Sequence, residues 1–144
     1  WTNYATEVGR DPDEFPFWAL TSRSMQYAWG ANVGIPLIRE MAENVSGHNG
    51  VVINRTRARE LDIEDGDQIT VESAAGTTSS RAVLREGIRP DTVLMIGQFD
   101  HWAMPVAKDF NMASLNSITA LSLSLTDATG SGADLMRVAV RKEA

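Results

Sequence analysis

Thr21-Ser22-Arg23 closes an apolar run and brings two hydroxyls and a guanidinium to what reads as the mouth of a loop. The loop continues as Ser24-Met25-Gln26-Tyr27-Ala28-Trp29-Gly30-Ala31-Asn32, a mixture of polar and aromatic residues. Hydroxyls, backbone N–H groups and a guanidinium are the donors a phosphate-bearing ligand needs, because the guanidinium fork matches two phosphate oxygens at once. On spacing alone, the same residues also suit a plain turn after an edge strand. Farther on, Asn116 carries an amide that can both donate and accept, though alone it is also an ordinary turn residue. His48 and His101 are the two histidines of the chain. Without cysteine they make a poor metal site, and no residue is singled out as a metal ligand or as a catalytic group.

The elements that must carry these groups follow from periodicity and turn chemistry. Phe15 to Arg23 reads as a first strand with Pro16 at its start, where a missing N–H does least harm. Ile35 to Val45 reads as one or two helical turns, with Pro36 in the first turn and Leu37, Ile38 and Met41 on one face. Ser46 to Gly50 is a turn cluster that holds His48. Val51 to Ile53 is a short buried strand, and Asn54 caps a brief helix through Leu61 with Ala58 and Leu61 inward. Ile63-Glu64-Asp65-Gly66-Asp67 fails the spacing of a calcium loop and reads as a tight turn. Gln68 to Glu72 alternates with Ile69 and Val71 on one face, and Ala75-Gly76 turns the chain back. Ser80 to Arg85 and Thr92 to Ile96 are further strands, separated by a turn at Arg89-Pro90-Asp91. A short helix fits within Phe99 to Phe110. Gly130-Ser131-Gly132 is a flexible connector, and Leu135 to Val140 closes the chain as a strand, with Arg141 and Lys142 solvated beyond it. Many short strands with a few helical insertions predict a mainly β fold closed into a barrel, which also removes exposed sheet edges.

Composition bounds the function. The chain has 144 residues, 43% hydrophobic and 22% charged, with a formal net charge of −6 and no cysteine. One domain is expected, with residues 1–14 as a linker or arm and 15–144 as the barrel. The acidic balance argues against nucleic acid as a partner, since that work needs clustered Lys and Arg. Any anionic ligand must be held by local geometry against the overall field. Disulfides and Cys-based metal or iron–sulfur sites are excluded. No run of about 18 apolar residues exists to span a membrane. The chain begins at Trp1, so it is expected to be a fragment of a longer protein.

Several segments, in order, resemble the C-terminal domain of the molybdopterin dinucleotide oxidoreductases, the family of dimethyl sulfoxide reductase and formate dehydrogenase. Leu20-Thr21-Ser22-Arg23 is similar to that family's Leu-x-Thr-Gly-Arg, with Ser22 in place of Gly. Asn32 followed by Pro36-Leu37-Ile38-Arg39-Glu40 resembles its Asn and Pro-Trp-Leu-x-Glu. Ile53-Asn54, Ala58, Leu61-Asp62-Ile63, Asp65-Gly66-Asp67, Ile69 and Val71 resemble its Ile-Asn-Pro-x-Asp-Ala-x-x-Leu-Gly-Ile-x-Asp-Gly-Asp-x-Val-x-Val, with Arg55 replacing Pro and Asp62 replacing Gly. Asn116 with Ile118-Thr119, and Asp127 before the glycine loop, resemble its last block. The similarity runs over most of residues 15–141, and the large subunits of thiosulfate, polysulfide, arsenate and phenylacetyl-CoA type resemble it best.

The resemblance implies a double-psi β-barrel (the aspartate decarboxylase-like fold) that clamps part of a bis(molybdopterin guanine dinucleotide) cofactor carrying molybdenum or tungsten. It implies cofactor contacts from Thr21, Ser22, Arg23, Ser24, Gln26, Tyr27, Asn32 and Asn116, and a place for His101 at the substrate channel, where a structural histidine is the plainer alternative. Where some relatives carry a cofactor-contacting Lys on the last strand, this chain has Met136 beside Arg137. The metal ligand and any iron–sulfur cluster would come from preceding domains of the same large subunit, with an iron–sulfur electron-transfer subunit as partner. The isolated 144 residues would then be inactive. A bacterial or archaeal source is implied, with cytoplasm and periplasm both open. Two other uses of the same barrel compete. One is a peptide- or protein-binding adaptor anchored by Trp1, Trp18, Trp29 or Trp102. The other is a self-processing pyruvoyl decarboxylase, for which Gly130-Ser131 is the one Gly-Ser bond.

Overall fold

A computed structural model describes residues 12–27, 32–45, 50–96, 99–120 and 136–144. The strands are β1 (Phe17–Ser22), β2 (Val51–Asn54), β3 (Gln68–Glu72), β4 (Thr77–Arg85), β5 (Thr92–Ile96) and β6 (Met136–Lys142). The helices are α1 (Pro36–Glu43), α2 (Arg55–Glu60) and α3 (Pro105–Asp109), with a 3-10 turn at Leu115–Ser117. The six strands close into a barrel in the order β1-β5-β2-β4-β3-β6. Two pairs are parallel, β1 with β5 and β2 with β4; the other contacts are antiparallel. The architecture is a mainly β, closed six-stranded, double-psi-like barrel with short helices.

Alternation fills the interior. Phe17 and Ala19 of β1, Val51 and Ile53 of β2, Ile69 and Val71 of β3, Ala82 and Leu84 of β4, Val93 and Met95 of β5, and Met136, Val138 and Val140 of β6 form one apolar core. Every strand thus presents its apolar face inward, as a barrel of this size requires to fill its lumen. Met136 is part of that core and buried. A second apolar cluster lies beside the barrel, built from Tyr27, Val33, Ala42, Ile96, Phe99, Ala107 and Met112.

Strand ends depart from the sequence reading in two informative places. β4 begins at Thr77 rather than Ser80. Its first inward residues are Thr78 and Ser80, both buried, so the apolar alternation that marks a half-buried strand is missing there. β6 runs on through Arg141 and Lys142, which pair with Thr70 and Ile69 of β3. Their side chains are exposed, as expected, and Arg141 meets Glu72 at 3.1 Å while Lys142 meets Asp67 at 2.7 Å. α1 also differs from expectation. Its buried residue is Ala42, and of the anticipated inward face Ile38 packs against the second cluster while Leu37 and Met41 are exposed.

Turn chemistry was legible. Asn54 Oδ1 accepts from the N–H groups of Thr56 and Arg57, the side-chain cap expected for α2. The helix ends with Asp62 at φ 57°, its N–H on Arg59 O and that of Ile63 on Ala58 O, the two bonds of a left-handed C-terminal cap. Asp62 holds the position where the resembled family carries glycine. The carboxylates of the next turn are occupied by the chain itself, Asp65 by Leu84 N–H and Asp67 by Glu64 N–H.

Candidate functional site

The parallel pairing of β1 with β5 sets Ser22 opposite Ile96. The loops that leave these strands therefore start at the same end of the barrel, the place where parallel strands offer their carboxyl ends to a ligand. Thr21 and Ser22 are half-buried and Arg23 is exposed. The chain then folds onto itself: Ser24 Oγ donates to Gln26 Oε1 at 3.1 Å and accepts from Gln26 N–H at 3.2 Å. Asn32 closes the loop by donating from Nδ2 to Gln26 O at 2.9 Å. Its Oδ1 is buried with no hydrogen-bond partner among the described residues.

Tyr27 links this loop to the one after β5. Its ring is 1% exposed and meets Phe99 edge-on, centroids 5.2 Å apart. Burial, then the Glu43 carboxylate, push its hydroxyl above the ordinary phenol range, while Arg39 opposes them. The phenol therefore stays neutral, and its ring is committed to the side cluster.

The segment after β5 is pinned to the barrel by hydroxyls and amides. α3 ends with Asn111 at φ 57°, with Asn111 N–H on Lys108 O and Met112 N–H on Ala107 O. This repeats the left-handed cap of α2. Asn111 and Gln68 exchange two amide hydrogen bonds of 2.8 and 2.9 Å. Ser80 Oγ donates to Asn111 O at 2.6 Å, and Ser114 N–H donates to Thr78 Oγ1 at 2.9 Å. The polar start of β4 thus serves as an anchor. Ser73 Oγ donates to Ile118 O at 2.6 Å, and Gly76 lies so close that a Cβ there would strike the Ser117 carbonyl. The β3–β4 turn holds the 3-10 turn that carries Asn116.

A cavity of about 640 Å³ opens over this segment, lined by Asp100, His101, Trp102, Lys108, Asn116, Ser117 and Thr119. A neighbouring recess of about 360 Å³ shares His101 and Lys108 and reaches Thr77, Thr78 and Ser79. The lining combines an amide, hydroxyls, an imidazole, a carboxylate, an indole and one ammonium. Such a set can stack on a flat ring, read its polar edge and neutralise an anion. Asp100 organises it. One carboxylate oxygen accepts from the N–H groups of Trp102 and Ala103, and the other from Asn116 Nδ2 at 2.7 Å. The Asn116 bond first, then the two backbone N–H groups, hold the Asp100 carboxyl below its usual range. His101 Nε2 lies 2.6 Å from Met112 O, so that nitrogen carries the proton and the ring is fixed.

Two clusters of the anticipated site residues are therefore built. Ser24, Gln26 and Asn32 form one, and His101 with Asn116 line the other, bridged by Tyr27, Phe99 and Asp100. Thr21, Ser22 and Arg23 stand at the same barrel end and do not line the described cavity. Sequence reasoning missed Asp100, Lys108, Ser117 and Thr119. Asp100 immediately before His101-Trp102 was the available signal, since a carboxylate followed by two free N–H groups readily forms a side-chain turn. Arg137 packs over the Trp18 ring at 4.2 Å and donates to Phe15 O; Trp18 is half-buried with one face taken. Trp1, Trp29, His48, Asp127 and the Gly130-Ser131-Gly132 loop lie outside the described residues.

The profile of the family described as "Molydopterin dinucleotide binding domain" matches residues 19–132, a span that takes in the β1 loop and the whole Asp100–Asn116 segment. The chain belongs to that family. Among curated proteins it is 28% identical over 97 residues to the arsenate respiratory reductase molybdopterin-containing subunit ArrA of Shewanella sp. (strain ANA-3), covering 65% of this chain and 11% of that one. It is 35% identical over 66 residues to the thiosulfate reductase molybdopterin-containing subunit PhsA of Salmonella typhimurium, covering 46% of this chain and 8% of that one. The chain therefore spans about a tenth of the length of these relatives. Among solved structures, acetylene hydratase from Pelobacter acetylenicus superposes with a TM-score of 0.75 at 11% identity, over 96% of this chain and 20% of that one. That likeness shows the fold.

Proposed function

We propose that this molybdopterin-binding domain holds part of a bis(molybdopterin guanine dinucleotide) cofactor, as the C-terminal domain of a molybdenum or tungsten oxidoreductase catalytic subunit. The observation that carries the reading is the polar cavity at the β1/β5 end of the barrel, within the family-matched span. Its donor set fits the group. A pterin has a flat ring and a polar edge, which suit Trp102 and Asn116; a pyrophosphate needs hydroxyls and a cation, which Ser117, Thr119 and Lys108 supply. The orphaned acceptor of Asn32 is a further atom suited to a ligand N–H, because a buried polar atom without a partner costs about 1–3 kcal/mol.

The bound cofactor would supply the redox chemistry at its metal. The chain's own residues bind and orient. Asn116 reads the ring edge, Lys108 offsets phosphate charge against the net −6 of the chain, and His101 stands with its ring fixed at the cavity wall, where it would border a substrate channel. Thr21, Ser22 and Arg23 would approach the dinucleotide from the adjoining loop. The metal ligand, any iron–sulfur cluster and the electron-transfer partner belong to other domains or subunits, so the 144-residue chain turns over no acceptor by itself.

Equilibrium dialysis of the chain against 6-hydroxymethylpterin and GDP tests this. Binding of either, weakened roughly tenfold or more by Asn116→Ala with an unchanged melting curve, supports the reading. No binding of either, or binding untouched by that substitution, sinks it. An immobilised chain that captured a peptide through exposed Trp102, with no affinity for pterin or guanine nucleotide, would instead favour the adaptor.

A further inference from the structure

We infer that Asp100 is a positioning residue that fixes which side of the Asn116 amide faces the cavity, and so makes the site select ligand edges that donate hydrogen bonds. The inference rests on the reading of this cavity as the cofactor site. An asparagine amide has two nearly isosteric faces, one accepting and one donating, and its orientation is set by its neighbours. Here the neighbour is an ionised carboxylate, which can only accept. Asn116 must therefore turn Nδ2 toward Asp100, as the 2.7 Å bond shows. The opposite orientation would set Oδ1 against a carboxylate oxygen, two acceptors in contact. No described residue donates to Asn116 Oδ1, and Asn116 lines the cavity. The group offered to a ligand is thus an acceptor.

Asp100 is itself held. Its other oxygen receives the N–H groups of Trp102 and Ala103 at 2.7 and 3.2 Å, so the carboxylate cannot swing away without opening its own turn. The turn and the amide orientation are one unit. An acceptor at this place suits the amino-and-N–H edge of a 2-amino-4-oxo pyrimidine ring, which pterin and guanine share. It disfavours a ring in which the amino group is replaced by a carbonyl.

The test exploits an expected inversion. In Asp100→Asn, the new side-chain oxygen keeps the Trp102 and Ala103 bonds while its NH2 group faces Asn116. Asn116 then flips to accept, and turns its own NH2 into the cavity. Equilibrium dialysis compares 6-hydroxymethylpterin with 6-hydroxymethyllumazine, which carries a carbonyl in place of the amino group. GMP against IMP, which lacks the amino group, reports whether guanine uses the same subsite. The native chain is expected to prefer pterin by roughly tenfold. Asp100→Asn is expected to reverse that preference, and Asp100→Ala to bind both pterin and lumazine with little preference. A merely structural role for Asp100 would lower both affinities together and leave their ratio in place; that result overturns the inference. So does a native chain that shows neither a pterin-over-lumazine nor a GMP-over-IMP preference. A native chain that binds none of the four probes overturns the cofactor reading itself, and the inference with it. A pterin-over-lumazine preference without GMP-over-IMP discrimination assigns the subsite to the pterin, and the reverse assigns it to guanine.

Discussion

The two ends of the barrel are built from the same parts and finished differently. At one end the parallel pair β2/β4 emerges; at the other, β1/β5. Each end carries a short helix terminated by a residue in the left-handed region, Asp62 after α2 and Asn111 after α3. At the β2/β4 end, Asn54 caps α2 through Oδ1 and donates from Nδ2 to Ile88 O at 2.8 Å. Both ends of that amide are spent on the fold. At the β1/β5 end, the amides of Asn32 and Asn116 each donate to the chain but offer an oxygen that no described residue bonds, and Ser114 Oγ is buried without a partner among the described residues. The lesson is that a site can be found by where the hydrogen-bond accounting stops closing. At the closed end the amide of Asn54 is spent entirely on the fold; at the open end some polar side chains anchor the chain while Asn32 and Asn116 keep an acceptor that no described residue bonds.

The contrast can be broken most forcefully where the barrel clamps the open end. Gly76→Ala drives a Cβ into the Ser117 carbonyl, and the overpacking is expected to cost roughly 1–3 kcal/mol and to weaken pterin binding as well. Urea unfolding and dialysis on the same variant check both. Asn54→Ala, at the closed end, is expected to cost about 1–2 kcal/mol of stability with ligand affinity unchanged; a loss of affinity there would erase the distinction between the ends. Ser114→Ala should go the other way and stabilise by up to about 1 kcal/mol, since it removes a buried hydroxyl that has no partner among the described residues. A destabilisation would show that the hydroxyl is already satisfied in solution. Asp62→Gly should stabilise by roughly 0.5–1 kcal/mol, because glycine adopts positive φ without a steric penalty, with no effect on the opposite end.

A smaller effect is expected with pH. Asp100 and Asp67 both sit below the usual carboxylate range, Asp100 through Asn116 first and Asp67 through Lys142 first. A group whose folded pKa is depressed stabilises fully above its unfolded value, about 3.9 for Asp, and loses that contribution as pH falls through the folded value. Stability should therefore hold from neutrality to about pH 5 and decline progressively below it as the pH falls toward the folded values. Carbon-13 titration of the Asp100 carboxyl should show the low midpoint, and Asn116→Ala should raise it toward normal.

Local chemistry made much of this molecule readable. Asn54 before a short helix, the Asp65-Gly66 turn and the alternation of Ile69 and Val71 each act over a few residues. Their outcome is set by backbone sterics and by which faces are apolar. The same signals failed where a residue's partner is distant in sequence. Thr77 to Ser79 carry no apolar rhythm, yet they pair with β3, and Thr78 and Ser80 face inward because their hydroxyls meet the segment around Asn111 and Ser114. Arg141 and Lys142 keep exposed side chains, yet they extend β6 because β3 lies beside them. Leu37 and Met41 look like part of an inward face, but α1 meets the cluster beside the barrel through Ala42 and Ile38.

By itself, then, the order of residues determined a mainly β closed barrel, the family to which it belongs and the asparagines worth watching, since short-range periodicity and ordered motifs survive in one dimension. Only the tertiary structure decided that Asp100 would meet Asn116, that Tyr27 would be packed against Phe99, and that one barrel end would close on itself while the other kept acceptors to spare. Those outcomes depend on strand register, which brings together residues far apart along the chain and which no local pattern encodes.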